Sequence, residues 1–305
     1  MEVDISVVIP THNRLEDLKK SISSILKQTL LPKEIIIIDD GSIQEVEADL
    51  FNIPGERIKL KILRNKISKG ASYARNMGIN EAVGKYIAFL DDDDEFLDKK
   101  LELVLRAFKK TGVDVIYHPA IVNYTKENLR YITNPKDNIS FTDCLIGNQL
   151  GGASMVSAKR DMLLKLGGFD TSLPALEDYE MWMRLAKAGA TFHKLSEPLV
   201  SYQVTTGKDY LSASMEKFVS SKKIIYSKYR WECSALSLGE QKTMEEANKK
   251  HEAYKNLLSG KKMSASWLYL SAFKVRFNVE LLLASFFSFF GIRALILCQK
   301  LKSKV

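Results

Sequence analysis

Residues Tyr86 to Phe96 read YIAFLDDDDEF, and no other stretch restricts the fold as much. Five apolar residues without alternation, Tyr86 to Leu90, suit a strand buried on both faces and so a central strand of a covered sheet. Four aspartates, Asp91 to Asp94, follow with no spacer. Adjacent carboxylates repel one another. They become tolerable when a hard divalent cation, Mg2+ or Mn2+, takes them as oxygen ligands and shares them with substrate phosphates. The plain alternative is a solvated acidic turn that starts a helix near Lys99, where aspartates favour the helix dipole.

The flanking sequence repeats the pattern of an apolar strand ending in polar residues. Ile5 to Pro10 reads as a buried strand, followed by the loop Thr11-His12-Asn13-Arg14. Leu15 to Gln28 is helical, with Leu18, Ile22, Ile25 and Leu26 on one face. Glu34 to Ile38 is a second strand, ending in Asp39-Asp40-Gly41-Ser42, and Ile58 to Leu63 suits a third. Gly70 to Ala82 and Leu101 to Phe108 read as helices, Val113 to Pro119, Ile121-Val122 and Ser154 to Val156 as strands. A helix over Lys159 to Leu166 precedes another that opens on Glu177-Asp178 and buries Met181, Trp182 and Leu185. Strands alternating with helices at this spacing predict βαβ units, a mostly parallel sheet, and a ligand outside the carboxyl ends of its strands. There His12, Asn13 and Asp40 suit a ribose and base, Arg75 suits phosphate, and Asp91 to Asp94 suit a metal.

Other classes are disfavoured. No GxGxxG follows the first strand and no GxxxxGKS/T occurs, so dinucleotide-binding dehydrogenases and P-loop NTPases lack their phosphate cradles. Cys144, Cys233 and Cys298 have no paired spacing, which fits a reducing cytosol, and no signal peptide is expected. His118, His193 and His251 lack ligand spacing and read as structural.

Six stretches together resemble a family 2 glycosyltransferase of the GT-A fold: VVIPTHNR (Val7 to Arg14), SISSILKQT (Ser21 to Thr29), IIDDGS (Ile37 to Ser42), GASYARNMGI (Gly70 to Ile79), GKYIAFLDDDDEF (Gly84 to Phe96) and GGFDTSLPALEDYEMWMRLAKAG (Gly167 to Gly189). The likeness covers roughly Ile5 to Tyr202. It implies a GT-A catalytic domain over 1–207, with a mostly parallel central sheet flanked by helices, and a helical C-terminal region over 208–305. By the resemblance, Pro10 and His12 line the nucleoside pocket, Asp40 hydrogen-bonds the base, and Arg75 contacts base or diphosphate. Asp92 lies nearer the ribose, and Asp93, with Asp91 or Asp94 sharing, holds Mn2+ or Mg2+. Asp178 is the catalytic base, with Glu177 next to it as the second candidate. The implied reaction is an inverting transfer of one sugar from a nucleotide sugar, UDP-sugar by default, to a glycan or lipid-linked saccharide. No nucleic-acid partner is expected. A nucleotidyltransferase would want a glycine-rich, lysine-bearing loop where Pro10 to Arg14 stands, and a non-catalytic relative would lack Asp93 or Asp178.

Two departures from the family pattern matter. Thr205 and Thr206 stand where many relatives carry a histidine, which leaves the resemblance without a third protein ligand for the metal. Ser227 replaces the glutamine of the QxxRW motif, although Arg230-Trp231 is present, so single-residue transfer is expected instead of polymer extrusion.

The formal charge of +8 belongs to the tail: Gln241 to Val305 holds 12 Lys+Arg and 4 Asp+Glu, whereas the first 240 residues balance. Leu281 to Ile292 is uncharged and rich in Leu and Phe, too short for the roughly 20 residues that span a bilayer. Residues 263–305 are therefore expected to lie on the inner face of the cell membrane, with lysines toward anionic headgroups. A hairpin packed on the catalytic domain or on a second subunit is the alternative.

Overall fold

The computed structural model describes residues 3–53, 58–204 and 214–302. Thr205, Thr206, Lys304 and the expected domain boundary at 207/208 lie outside the described residues. Strand β1 (Ile5–Thr11) leads through helix α1 (Leu15–Leu26) to β2 (Glu34–Asp39); β3 (Lys59–Arg64), α2 (Ala71–Glu81) and β4 (Tyr86–Phe89) follow. β1, β2 and β4 are buried along their whole length, as their unbroken apolar runs require. β3 is an edge strand, and its lysine-interrupted sequence is accordingly half exposed.

The acidic turn does not open a helix. After it come β5 (Glu95–Phe96) and then α3 (Lys100–Thr111), whose first-turn acid is Glu102. The solvated helix-start reading is therefore wrong, because a strand separates the aspartates from α3.

Next in order are β6 (Val115–Tyr117), β7 (Ile121–Tyr124), β8 (Leu129–Ile132), α4 (Phe141–Ile146), β9 (Val156–Lys159), α5 (Arg160–Lys165), α6 (Glu177–Lys187), β10 (Phe192–Lys194) and β11 (Val200–Val204). Ser154 and Met155, expected to form a strand with Val156, lie in a 3-10 turn (Ala153–Met155), and the strand begins only at Val156. The main sheet has seven strands in the order β10-β6-β9-β4-β1-β2-β3. All its pairings are parallel except those of β9, which runs antiparallel to both β4 and β6. A second sheet, β5-β11-β7-β8, was not legible as such in the sequence. It stands beside the acidic turn because β5 pairs with β11 directly after Asp94.

The C-terminal region is helical: α7 (Met215–Lys228), α8 (Arg230–Ser234), α9 (Leu238–Leu258), α10 (Lys262–Arg276), α11 (Val279–Phe290) and α12 (Ile292–Lys302). Ser237 and Glu240 form a capping box that starts α9. Ala253, Leu257, Ala265, Tyr269, Leu281 and Leu295 join the apolar cluster that also holds Val122 and Tyr124 of the second sheet. The Tyr124 and Tyr254 hydroxyls share a hydrogen bond of 2.7 Å across that contact. These helices therefore extend the core.

Candidate active site

The site begins in the loop after β1. Thr11 Oγ1 donates to Asp92 Oδ2 at 2.7 Å, and Arg14 Nη1 reaches Asp93 Oδ2 at 2.7 Å and Asp92 Oδ1 at 3.2 Å. His12 Nδ1 lies 2.9 Å from the Asp40 carbonyl oxygen, which leaves the ring exposed beside buried Pro10. Asn13 takes a left-handed φ of 57°, a conformation its short amide tolerates, and its Oδ1 accepts from Ile43 N at 2.8 Å. The two loops after β1 and β2 are thus laced together.

Asp40 is placed beside His12, as expected, but its carboxylate is already occupied. It accepts from Asn65 Nδ2 and Ser68 Oγ at 2.7 Å, from Lys69 N at 2.9 and 3.0 Å, and from Gly70 N at 2.8 Å. Burial works against its ionisation, yet those hydrogen bonds prevail and hold the carboxyl below the usual range. In this arrangement Asp40 anchors the loop 65–70. Gly41 allows the close approach: with φ of 77°, a Cβ there would meet the Ile67 carbonyl carbon and Ser68 N at 2.9 Å.

The four aspartates have four different surroundings. Asp94 is fully buried; its Oδ1 accepts from Gln203 N of β11 at 3.0 Å and its Oδ2 has no partner among the described residues. Burial, then the charge of Asp91, pushes its carboxyl well above the ordinary value. Asp94, which the sequence left open as a metal ligand, therefore belongs to the scaffold that joins the turn to the second sheet. Ser21 Oγ donates to the Asp92 and Asp94 carbonyl oxygens at 2.8 and 2.6 Å and fixes the turn's backbone. Asp92 is buried and faces Thr11 and Arg14, with its carboxyl raised by burial first. Asp93 is partly exposed, and burial followed by the Asp91 charge raises its carboxyl to about 6.

No group of three His, Cys, Asp or Glu side chains among the described residues is arranged to hold a metal. Asp91 and Asp93 still fit a cation of the Mg2+ kind, which takes one or two carboxylates and completes its shell with water and substrate phosphate. The crowding that lifts Asp93 is what a bound cation would relieve. Arg14 supplies part of that positive charge, a role that no motif in the loop after β1 announced.

Arg75 occupies a different place from the one expected. It is buried, with Nη2 at 2.6 Å from Asp91 Oδ1 and Nη1 at 2.8 Å from Glu177 Oε1. Its guanidinium lies 5.4 Å from the centre of the Phe169 ring. Burial alone would favour the neutral form, but the two carboxylates more than compensate and raise its pKa. Both terminal nitrogens are engaged in a bridge between the acidic turn and α6.

At the far end of that bridge is Asp178, in the first turn of α6. Tyr179 N donates to its Oδ1 at 2.6 Å. Burial, then the adjacent Glu177 charge, pushes its carboxyl up to about 7. Gly152 forms the opposite wall: a Cβ there would lie 3.9 Å from Asp178 Oδ2 and 3.3 Å from the Tyr202 ring. Tyr202 was also missed, since a tyrosine in an ordinary-looking strand carries no motif. Trp182 is fully buried with Nε1 donating to the Gly151 carbonyl at 2.9 Å, which makes it core, as expected.

A mostly parallel sheet flanked by helices, with an acidic turn at the carboxyl ends of its strands, is the architecture of the GT-A fold. Residues 6–157 match the family described as Glycosyl transferase family 2. An uncharacterized glycosyltransferase of Haemophilus influenzae is 34% identical over 64% of this chain and 66% of its own length. The Escherichia coli UDP-Glc:alpha-D-GlcNAc-diphosphoundecaprenol beta-1,3-glucosyltransferase WfgD is 31% identical over 60% of this chain and 70% of its own length. Among solved structures, S. aureus TarS 1-349 in complex with UDP-GlcNAc superposes with a TM-score of 0.60 at 16% identity, over 92% of this chain and 90% of that one. The mannosyltransferase PcManGT from Pyrobaculum calidifontis, in complex with GDP-Man and Mn2+, gives 0.54 at 16% identity, over 90% of this chain and 74% of that one. The chain belongs to glycosyltransferase family 2.

Proposed function

We propose that this protein is an inverting, metal-dependent glycosyltransferase that moves one sugar from a nucleotide sugar, a UDP-sugar by default, to a hydroxyl of a glycan or lipid-linked saccharide. The observation that carries the reading is the pairing of two acidic poles through Arg75: Asp91 on one side, Glu177 and then Asp178 on the other. Asp178, with its carboxyl near 7, is poised to accept a proton at neutral pH. The acceptor oxygen attacks the anomeric carbon while its proton passes to an Asp178 oxygen. The bond from that carbon to the diphosphate oxygen breaks, and the nucleoside diphosphate leaves with the electron pair. One displacement inverts the centre. Asp91 and Asp93 would hold Mn2+ or Mg2+, which when bound neutralises charge on the leaving diphosphate.

The UDP-bound and Mn2+-bound structural relatives support the donor class and metal, and the lipid diphosphate in the WfgD name supports a lipid-linked acceptor used in surface polysaccharide synthesis. With such an acceptor, the proposed site of action is the cytoplasmic face of a membrane. No helix among the described residues is long and apolar enough to cross one. Incubation with a panel of nucleotide sugars, scoring hydrolysis and transfer for the wild type and for Asp178→Asn, tests the reading. Metal-dependent turnover by the wild type and its loss in the variant are expected; turnover unchanged by the substitution would remove Asp178 from the role of base.

A further inference from the structure

The hairpin of α10 and α11 is built inside out for a helix pair that faces water. Its buried positions are mostly small or polar, Ala265, Ala272, Ser285 and Ser288, with Tyr269 and Leu281 the large ones. Two serines lock the helices reciprocally, Ser266 Oγ donating to the Ser285 carbonyl at 2.8 Å and Ser285 Oγ to the Ser266 carbonyl at 2.9 Å. Leu281 apart, most of the large apolar side chains of α11 are exposed instead. Val279, Leu282, Phe286 and Phe289 are exposed at helical spacing, and Phe290 is 58% exposed beside Phe286. Trp267 and Met263, one turn apart on α10, are exposed as well.

Helix pairs with a seam of small residues and serine hydrogen bonds, and with their bulk turned outward, suit a hydrocarbon surrounding, where apolar burial between helices gains nothing. Charge selects the occupant. Lys262 lies at the Phe290 end, its Cε 3.1 Å from where a Gly291 Cβ would be, and Arg293 is exposed just beyond. Lys274 and Arg276 are exposed at the other end, before Phe277 and Val279. An apolar face about 18 Å long (12 residues at 1.5 Å each) with cations at both ends suits a helix lying along the surface of an anionic bilayer: rings at the acyl boundary, cations at the phosphates.

We propose that the outward face of α11, with Trp267 and Met263 of α10, is the surface by which the enzyme lies on an anionic membrane. The proposal deepens the membrane location given above and rests on it, but it does not depend on the transfer chemistry.

The test uses the full chain, with vesicles of phosphatidylcholine alone or mixed with phosphatidylglycerol. Flotation is compared for the wild type and for a Phe286→Ser, Phe289→Ser, Phe290→Ser variant, whose melting temperature checks folding. Brominated lipid reports whether tryptophan fluorescence is quenched, and a Trp267→Phe variant identifies the source. The wild type is expected to float only with the anionic lipid, less at high salt, with quenching that depends on Trp267. The triple variant is expected to bind roughly tenfold more weakly or worse while transferring sugar normally to a detergent-dispersed acceptor. If both proteins float equally, the membrane location stands and this face is the wrong one. If neither floats and the wild type sediments as a dimer that the triple variant dissociates, the face is a contact between copies and both membrane statements fall.

Discussion

The Arg75 guanidinium donates to Glu177 Oε1 at 2.8 Å across 102 residues of sequence, and its other terminal nitrogen holds Asp91. One buried cation thereby fixes the position of the acidic turn relative to the helix that carries Asp178. Removing it strands two carboxylates near a third. Arg75→Met is expected to lower stability by about 3–5 kcal/mol, as for other broken buried pairs, and to abolish transfer. Arg75→Lys keeps the charge but cannot reach both carboxylates through a planar fork, so it should recover part of the stability and little of the turnover. Urea denaturation alongside initial rates checks both. Full activity in the lysine variant would reduce the bridge to a charge effect.

The Asp178 carboxyl, raised to about 7 by burial and by Glu177, gives a signed pH dependence. The ionised form is the base, so kcat/KM should climb as pH rises through about 7 and then level off. Asp178→Asn should remove that limb and slow transfer by roughly 10²–10⁴ with donor affinity retained. Stability runs in the opposite direction. A carboxyl whose pKa is raised on folding contributes stability while protonated and loses it as pH rises through the folded value. Asp178→Asn is therefore expected to raise the melting temperature at pH 8 and to raise it less at pH 5, which lies between the unfolded and folded pKa values. A melting temperature lowered equally at both would mark Asp178 as a structural cap.

Asp93 and Asp94 separate the site from its scaffold. Asp93→Asn should abolish metal-dependent turnover, since a neutral amide is a poorer ligand for a hard cation. Asp94→Asn should keep activity within several-fold, because burial already disfavours the charged form of that carboxyl and an amide oxygen can accept from Gln203 N as before. Titration of each variant with Mn2+ gives the comparison. Loss of metal dependence in Asp94→Asn would move the register by one residue.

Much of this was legible because buried parallel strands write themselves as unbroken apolar runs: Ile35 to Ile38 and Tyr86 to Leu90 each predicted a strand and the polar cluster at its end. The second sheet was not, because β5 has two residues and β8 alternates Leu129, Arg130, Tyr131 and Ile132 on a half-exposed edge. The site residues were found by type, but not their partners. Asp40 reads as a free carboxylate in the sequence, and only the path of the chain brings Asn65 to Gly70 back onto it. Arg14 and Asp92 are 78 residues apart, a pairing no local pattern announces.

Asp40 offers a further test of that difference. If its carboxylate anchors loop 65–70, Asp40→Asn exchanges an acceptor of several bonds for a group with one acceptor oxygen. Stability should then fall by about 1.5–3 kcal/mol for each charge-assisted bond lost, with or without nucleotide. Differential scanning calorimetry of the variant, with and without UDP, measures this. An unchanged melting temperature with selective loss of UDP binding would return Asp40 to base recognition alone.

Two acidic poles tied by Arg75 are proposed to perform one metal-assisted displacement at the anomeric carbon. Proton NMR of the product formed from an α-linked UDP-sugar, with Mn2+ and with EDTA, tests it most directly. A β-linked product is expected in Mn2+ and none in EDTA. An α-linked product, or equal turnover in EDTA, would contradict it.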